Sequence, residues 1–149
     1  MDWPDAVLQG EFLREMPVAV REELATIAQS RTFLAGAVVF REGQLHDALH
    51  IVARGRVRLE IEVPERGRMP VMTVGPGDIL GWSPVFGHSP MTATAIAEDE
   101  VHTIALPGEA LRERCQTRYD IGYPVMKQLA LALARRLTAT RREMFNVIR

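Results

Sequence analysis

The sequence predicts a mainly β fold of the sandwich or jelly-roll class, with α-helices at both ends. Between residues 32 and 106, short runs rich in β-branched residues alternate with turns that contain glycine or proline. Within one run, Val57 to Val63, aliphatic residues alternate with Arg58, Glu60 and Glu62. Such alternation is typical of a strand that buries one face.

Length and composition indicate a single globular domain. The chain has 149 residues, of which 47% are hydrophobic and 25% charged. Because Cys115 is the only cysteine, an internal disulfide and a zinc site with two thiolates are excluded. A net charge of -1 gives no overall attraction to nucleic acid or acidic membranes. Without a secretory signal or a long apolar stretch, we expect a cytoplasmic protein that makes no membrane contact.

The single predicted domain, residues 1–149, divides into three parts: N-terminal helices in 1–31, a β-roll in 32–106 and C-terminal helices in 107–149. Residues 4–29 have a helical pattern, in which Pro17 fits a first turn. Pro107 is predicted to open a short helix that ends near Thr117. Asp120 is predicted to cap a longer helix behind it.

The long C-terminal helix carries an apolar seam. At about 100° per residue, nine side chains fall within an arc of roughly 100°. They are Met126, Leu129, Ala130, Leu133, Leu137, Thr140, Met144, Val147 and Ile148. A seam of this length predicts a homodimer joined through the helix, and packing within one domain is the alternative. A second apolar strip is predicted to face the β-roll: Leu131, Ala134, Thr138 and Phe145.

Two stretches of the sequence resemble the cyclic nucleotide-binding domains of catabolite-activator-type bacterial regulators. The first is FREGQLHDALHIVARGRVRLEI, residues 40–61, in which Glu42, Gly43 and Gly55 stand at the family's two glycine turns. The second is VGPGDILG, residues 74–81, which resembles the approach to the family's phosphate-binding cassette. The resemblance implies a double-stranded β-helix of eight strands with N-terminal helices, a short cassette helix and a long C-terminal dimer helix.

The cassette itself, GWSPVFGHSPMTATA, departs from the family pattern. In the family, a glutamate bonds the ribose 2′-hydroxyl and an arginine pairs with the cyclic phosphate. Alignment on Gly81 and Pro90 places Trp82 at the glutamate position and Met91 at the arginine position. Hydrogen bonds to charged groups contribute about 1.5–3 kcal/mol each. Without the hydrogen bonds to ribose and phosphate, we expect cyclic AMP or cyclic GMP to bind about 10²- to 10⁴-fold more weakly than in the family's usual pose.

Two interpretations of the altered cassette stay open at this point. In the first, the pocket holds a different ligand, which is nucleotide-like or another small anion in preference to haem. Ser83 would cap a short helix with Pro84 in its first turn, Trp82 would stack on a planar group and His88 would offer positive charge. The predicted ligand-binding residues are Leu80, Gly81, Trp82, Ser83, His88, Met91, Thr92, Ala93 and Thr138. In the second interpretation, Trp82 and Met91 fill the hollow.

The sequence offers no catalytic or metal-binding motif. His46 and His50 are four residues apart on a predicted turn and strand, a spacing that would separate their side chains by about 13 Å. The histidines do not cluster as in metal-dependent jelly-roll enzymes, and neither a nucleophile elbow nor a phosphate-binding glycine loop occurs. We therefore predict that the protein is not an enzyme and holds no metal.

The expected role is a small-molecule sensor that acts through its dimer on another protein. Full-length relatives carry a helix-turn-helix after the dimer helix, whereas this sequence ends at Arg149, so no DNA-binding domain of its own is expected. Arg135, Arg142 and Arg149 align opposite the seam without interleaved aromatics, which indicates a solvated face and no nucleic-acid partner. A ligand-free docking module is the alternative function.

Overall fold

The computed structural model describes residues 2–148, and their side chains as far as Asn146. Val147, Ile148 and Arg149, which were assigned to the seam and the arginine stripe, therefore lie outside the described side chains. The helices are α1 (Asp5–Leu8), α2 (Val18–Ala25), α3 (Gly108–Thr117) and α4 (Tyr119–Ile148), with a 3₁₀ helix, Ser83–Phe86, called here the cassette helix. The strands are β1 (Gln29–Phe33), β2 (Val38–Phe40), β3 (Ala48–Arg54), β4 (Val57–Val63), β5 (Gly67–Val74), β6 (Ile79–Leu80), β7 (Thr94–Ala97) and β8 (Val101–Pro107).

The eight strands form two four-stranded antiparallel sheets. The first sheet has the order β1-β8-β3-β6 and the second the order β2-β7-β4-β5. Successive side chains of β3 point to opposite faces of the first sheet. Leu49 and Ile51 pack against the helices, whereas Val52 packs inside the roll. The predicted fold class, a mainly β jelly roll with flanking helices, is confirmed.

The first strand was not predicted. β1 begins at Gln29, three residues before the expected start of the roll, and pairs with β8 from Gln29 opposite Ala105 to Phe33 opposite Val101. It lies at the edge of the first sheet, and its sequence, QSRTF, is mostly polar. An edge strand held by backbone hydrogen bonds buries little apolar surface, so it leaves no alternating pattern in the sequence.

The N-terminal segment contains less helix than predicted. Only Asp5–Leu8 and Val18–Ala25 are α-helical, and the residues between them form turns that bury Phe12 and Leu13 completely. A Cβ atom added to Gly10 would lie 2.2 Å from the carbonyl oxygen of Gly77. This close backbone contact holds the N-terminal turn against the β5–β6 turn.

The start of α4 differs slightly from the prediction. α3 ends at Thr117 as expected, but α4 begins at Tyr119, so that Asp120 lies in its first turn and is not a cap. The carboxylate there still interacts favourably with the helix dipole. It also accepts a 2.9 Å hydrogen bond from Arg118.

α4 packs on the domain through a different face from the one predicted. Its buried side chains include Val125, Leu129 and Ala132, so Leu129 belongs to the domain core and not to an open seam. The prediction that the second strip faces the β-roll is wrong, because Leu131, Ala134, Thr138 and Phe145 are exposed. At about 100° per residue they lie on the far side of the helix from Val125.

Part of the predicted seam is open to solvent. Met126, Ala130, Leu137 and Met144 are exposed, whereas Leu133 and Thr140 are half-buried along the edge of the packed face. An exposed apolar row therefore runs along α4 beside its packed face. Among the described residues, no helix is both long and apolar enough to cross a membrane.

Two histidines are in contact inside the roll. His50 of β3 is fully buried between Phe33 and Phe40, and its Nδ1 lies 2.9 Å from the Thr103 hydroxyl. Its Nε2 lies 2.8 Å from Nε2 of His46. The expected separation of about 13 Å is wrong because His46 precedes β3 in a turn that folds back over the strand. Within the described part of the chain, no group of three or more metal-ligating side chains occurs.

The environment of this pair keeps both rings neutral. Burial, together with the neighbouring His46 and Arg31, lowers the pKa of His50 to about 3, although Asp47 opposes the shift. Burial also lowers the pKa of His46, although Asp47 opposes that effect. Unfolded histidines have a pKa of about 6.5. The unfolded state therefore binds more protons below that pH, and stability is present above about pH 6.5 and lost as the pH falls toward 3.

We expect the free energy of unfolding to fall by about 2 kcal/mol between pH 7 and pH 5 because of His50 alone. Denaturant titrations at several pH values measure this slope. His50→Gln should flatten it, whereas His88→Asn, at an exposed position, should leave it unchanged. An equal slope in wild type and His50→Gln would contradict the assignment.

Candidate functional site

A small cavity lies where the cassette passes under α4. Its walls come from β2, β4, the cassette and α4: Phe40, Leu59, Gly81, Trp82, Ser83, Met91, Thr92, Ala93 and Arg136. The free volume, about 20 Å³ for the centre of a water-sized sphere, is enough for about one water molecule. The cavity is therefore nearly filled by the chain's own side chains.

Six of the nine predicted ligand-binding residues line this cavity: Gly81, Trp82, Ser83, Met91, Thr92 and Ala93. The other three do not, contrary to the prediction. Leu80 of β6 pairs with His50 of β3, and its side chain points into the core of the roll. His88 is exposed beyond the cassette helix. Thr138 lies on the solvent side of α4, where its hydroxyl donates to the Ala134 carbonyl at 3.3 Å.

The Met91 side chain lies inside the roll because backbone hydrogen bonds hold both the N–H and the carbonyl of Met91. Its N–H donates to the Gln44 carbonyl at 2.9 Å, and its carbonyl accepts from Gly43 at 2.8 Å. Both partners lie in the turn before β3. The Met91 side chain is consequently held inside the roll, where it is 3% exposed.

Gly81 completes the filled floor of the cavity. Its φ of 78° lies in the left-handed region, which favours glycine. A Cβ atom there would lie 2.9 Å from the Phe40 ring and 3.1 Å from the Met91 methyl group. Side chains of Phe40 and Met91 thus occupy the space directly beside Gly81.

The cassette helix begins one residue earlier than expected. Trp82 occupies the N-cap position, so Ser83 is not the cap, and no side chain caps the helix. Arg112 of α3 donates from Nη1 to the Pro84 carbonyl. A Cβ atom added to Gly108 would lie 2.4 Å from the same oxygen. The position of the cassette is therefore set by α3 as well as by the sheets.

Arg136, the charged residue of the site, was not predicted from the sequence. Its side chain is 10% exposed, and Nη2 donates to the Ile79 carbonyl at 2.7 Å. The guanidinium carbon lies 5.5 Å from the centre of the Trp82 ring, within the range of a cation–π interaction. The nearest acid, Glu11, is 3.9 Å away. Arg136 thus joins α4 to both the cassette and the N-terminal segment.

A signal for Arg136 was present in the sequence. It follows Val125, Leu129 and Ala132 at steps of four, three and four residues, which places all four side chains on one face of α4. A charged residue at an otherwise apolar position indicates a buried or functional side chain. A search of the helix for apolar residues alone passes over it.

The electrostatic surroundings of Arg136 are mixed. Burial lowers the pKa of the guanidinium, and the negative charges of Glu11 and Asp78 oppose that effect. Arginine stays protonated in proteins at neutral pH. Its Nη1 atom is buried and has no hydrogen-bond partner among the described residues. A buried positive charge with one unused donor atom therefore lies in the wall of the site.

A larger groove adjoins the cavity between the β4–β5 hairpin and α4. The two spaces share five wall residues: Leu59, Trp82, Thr92, Ala93 and Arg136. The groove has a free volume of about 180 Å³ on the same measure, with Thr140 on its α4 side. Its remaining walls are apolar: Ile61, Val71 and Met72.

The chain belongs to the cyclic nucleotide-binding domain family. The family model described as cyclic nucleotide-binding domain matches residues 30–118, more than half of the chain. The resemblance found in the two sequence stretches is therefore confirmed. The family match covers the β-roll, the cassette and α3.

Bacterial regulators are among its relatives. The CRP-like cAMP-activated global transcriptional regulator of Mycobacterium tuberculosis is 33% identical over 117 residues, which are 78% of this chain and 50% of the relative. The chain thus spans about half the length of that relative. The N-terminal domain of a transcriptional regulator from Streptomyces coelicolor A3(2) has a TM-score of 0.72 at 27% identity, covering 94% of this chain and 95% of the other.

A further solved structure supports the fold alone. A cyclic nucleotide-binding domain from Methylobacillus flagellatus has a TM-score of 0.83 at 18% identity, and the alignment covers 95% of this chain and 82% of the other. The roll and its flanking helices are therefore those of the family.

Substitution of Gly81 tests how tightly the floor is packed. Gly81→Ala should lower the free energy of unfolding by about 1–3 kcal/mol more than Gly43→Ala. Gly43 has a similar φ of 83° but nothing within 4 Å of an added Cβ atom, so it controls for backbone strain. Guanidinium denaturation measures both losses. Equal losses in the two variants would contradict tight packing around Gly81.

Proposed function

We propose that this chain is a ligand-sensing regulatory domain in which neither cyclic AMP nor cyclic GMP is held in the family's usual pose. One observation supports this most strongly. Trp82 and Met91, which the sequence resemblance aligns with the family's glutamate and arginine, are both walls of a cavity with only about 20 Å³ of free volume. An indole and a thioether offer neither the charge nor the acceptor oxygens that ribose and cyclic phosphate require.

The groove beside the cavity is the proposed place for a different ligand. It has about nine times the free volume of the cavity, with one charged side chain and two hydroxyls, from Thr92 and Thr140, in its walls. Because one wall is α4, a ligand bound there contacts both the roll and the helix. Binding would shift the helix only if the ligand's affinity differs between two helix positions.

A ligand-free docking module is the second candidate. The observation that favours it is the packing of Phe40 and Met91 against Gly81, which leaves the family's nucleotide position filled. In that case the roll and α4 serve only as binding surfaces. A thermal-shift screen separates the candidates, because a true ligand stabilises the folded state by RT ln(1 + [L]/Kd).

We further propose that the output runs through a homodimer to another protein. The exposed apolar row of α4, Met126, Ala130, Leu137 and Met144, supports the dimer, with Leu133 and Thr140 at its edge. Leu129 is already buried in the core and is left out of the proposed interface. A non-catalytic, cytoplasmic role fits this arrangement.

Nucleic acid is not the proposed partner. Arg135, one of the arginines aligned opposite the seam, pairs with Glu11 at 3.3 Å. Its charge is therefore partly used within the domain. Salt-sensitive binding of duplex DNA that is lost on charge reversal at Arg142 would argue for a DNA-associated regulator instead.

Restoring the family's two polar residues tests the proposed loss of nucleotide binding. Wild type should show no thermal shift at cyclic AMP concentrations that stabilise the Trp82→Glu/Met91→Arg variant. The expected gain in affinity is about 10²- to 10⁴-fold, measured by calorimetry. Met91→Leu, which keeps the apolar filling, is the control and should behave as wild type. Binding of cyclic AMP by wild type at the order of micromolar would contradict the proposal.

Introducing one negative charge on either side of α4, in separate variants, tests whether the apolar row is a dimer interface. Leu137→Glu should weaken dimerisation by roughly 10- to 100-fold, because it places a carboxylate where a leucine would be buried. Light scattering coupled to size exclusion reports the molar mass. Leu131→Glu, exposed on the other side of α4, should leave the dimer intact. A monomeric wild type, or equal effects of the two changes, would contradict the interface.

A further inference from the structure

We propose that the site binds a small organic anion through Arg136, so that the cation of the binding site comes from the long helix α4 and not from the cassette. The inference rests on the proposed sensing function and names the chemical class of its ligand: a carboxylate or phosphate attached to a flat or apolar body.

The first argument is the unused donor of Arg136. Nη2 donates to the Ile79 carbonyl, and the guanidinium lies over the Trp82 ring. Nη1 is buried and has no partner within the described chain. A buried charged donor without an acceptor is costly, and carboxylate and phosphate oxygens are the acceptors that match a guanidinium best.

The second argument is the incomplete neutralisation of the charge. Glu11 lies 3.9 Å from Nη2, beyond hydrogen-bond distance, and its other carboxylate oxygen pairs with Arg135 at 3.3 Å. The first oxygen also accepts a 3.3 Å hydrogen bond from the Ile79 N–H. Asp78, the other nearby acid, accepts a 2.9 Å hydrogen bond from the backbone of Gly75. Each acid is therefore shared with another donor, and a ligand anion would complete the set.

The third argument is the shape of the adjoining space. Arg136 and Trp82 are walls of both the small cavity and the groove. An anionic group at Nη1 would thus have a path for its body into about 180 Å³ of mainly apolar groove. The Trp82 ring provides a flat surface beside it, and the Thr92 and Thr140 side chains provide hydroxyls on two sides of the groove.

The position of the cation on α4 connects the site to the proposed interface. Leu137 follows Arg136 directly and belongs to the exposed apolar row. Movement of the Arg136 side chain toward a ligand acts on the same helix turn that carries Leu137. A cassette arginine, as in the family's usual site, would reach the helix only through the ligand.

Calorimetric titration of the full chain with 1-naphthoate and 1-naphthyl phosphate tests the inference, with neutral 1-naphthalenemethanol as the uncharged counterpart. At least one anion should bind at least tenfold more tightly than the alcohol. Arg136→Met should remove that advantage, and Arg136→Lys, which keeps the charge without the fork, should retain part of it. Arg142→Met removes the same charge from an exposed position of α4 and should change affinity by less than twofold.

The comparison of the two anions distinguishes carboxylate from phosphate recognition. Equal affinity for the anions and the alcohol, or an anion affinity unchanged in Arg136→Met, would overturn the inference. If Arg136→Met does not fold, two other measurements test the inference. It is overturned if the anion affinity of Arg136→Lys equals that of wild type and the anion affinity of wild type is unchanged at high salt. A compound from the thermal-shift screen that binds wild type and Arg136→Met with equal affinity would contradict this inference without contradicting the proposed sensing function. If neither the naphthalene compounds nor any compound of the thermal-shift screen binds, both this inference and the proposed sensing function are contradicted.

Discussion

A buried arginine joins the long helix to the β-roll, and the arrangement around the pocket depends on it. Arg136 reaches from α4 to the Ile79 carbonyl and covers the Trp82 ring, while Glu11 approaches from the N-terminal segment. Three parts of the chain that are far apart in sequence meet at this one guanidinium. The Ile79 carbonyl and the Trp82 ring offset part of the cost of burying this charge.

The interior of the roll explains why the family's usual ligand is not expected here. Met91 is fixed by two backbone hydrogen bonds to the turn before β3, and Gly81 leaves room for the Phe40 ring. The neutral pair His46 and His50 adds a polar contact that fills the same interior without charge. The scaffold is thus stabilised by its own side chains, and the ligand site proposed above lies toward α4.

Several features followed directly from the sequence. The alternation from Val57 to Val63 predicted a half-buried strand, and the resemblance around Glu42 and Gly55 predicted the family and the jelly roll. Six cassette residues were correctly expected to lie together. β1 was missed because an edge strand has no apolar pattern, and the second strip of α4 was assigned to the wrong side because its apolar residues were counted without the charged one that packs inward.

The sequence by itself determined the periodicities and the glycine turns, because these are local properties of the chain, and its resemblance to the family aligned Trp82 and Met91 with the two polar residues of the cassette. Only the tertiary structure decided which face of α4 packs on the roll, that His46 folds back onto His50, and that Arg136 stands over Trp82. The physical reason is that each of these contacts joins residues from separate elements, so its geometry is set by the packing of sheets and helices and not by the order of residues along either element.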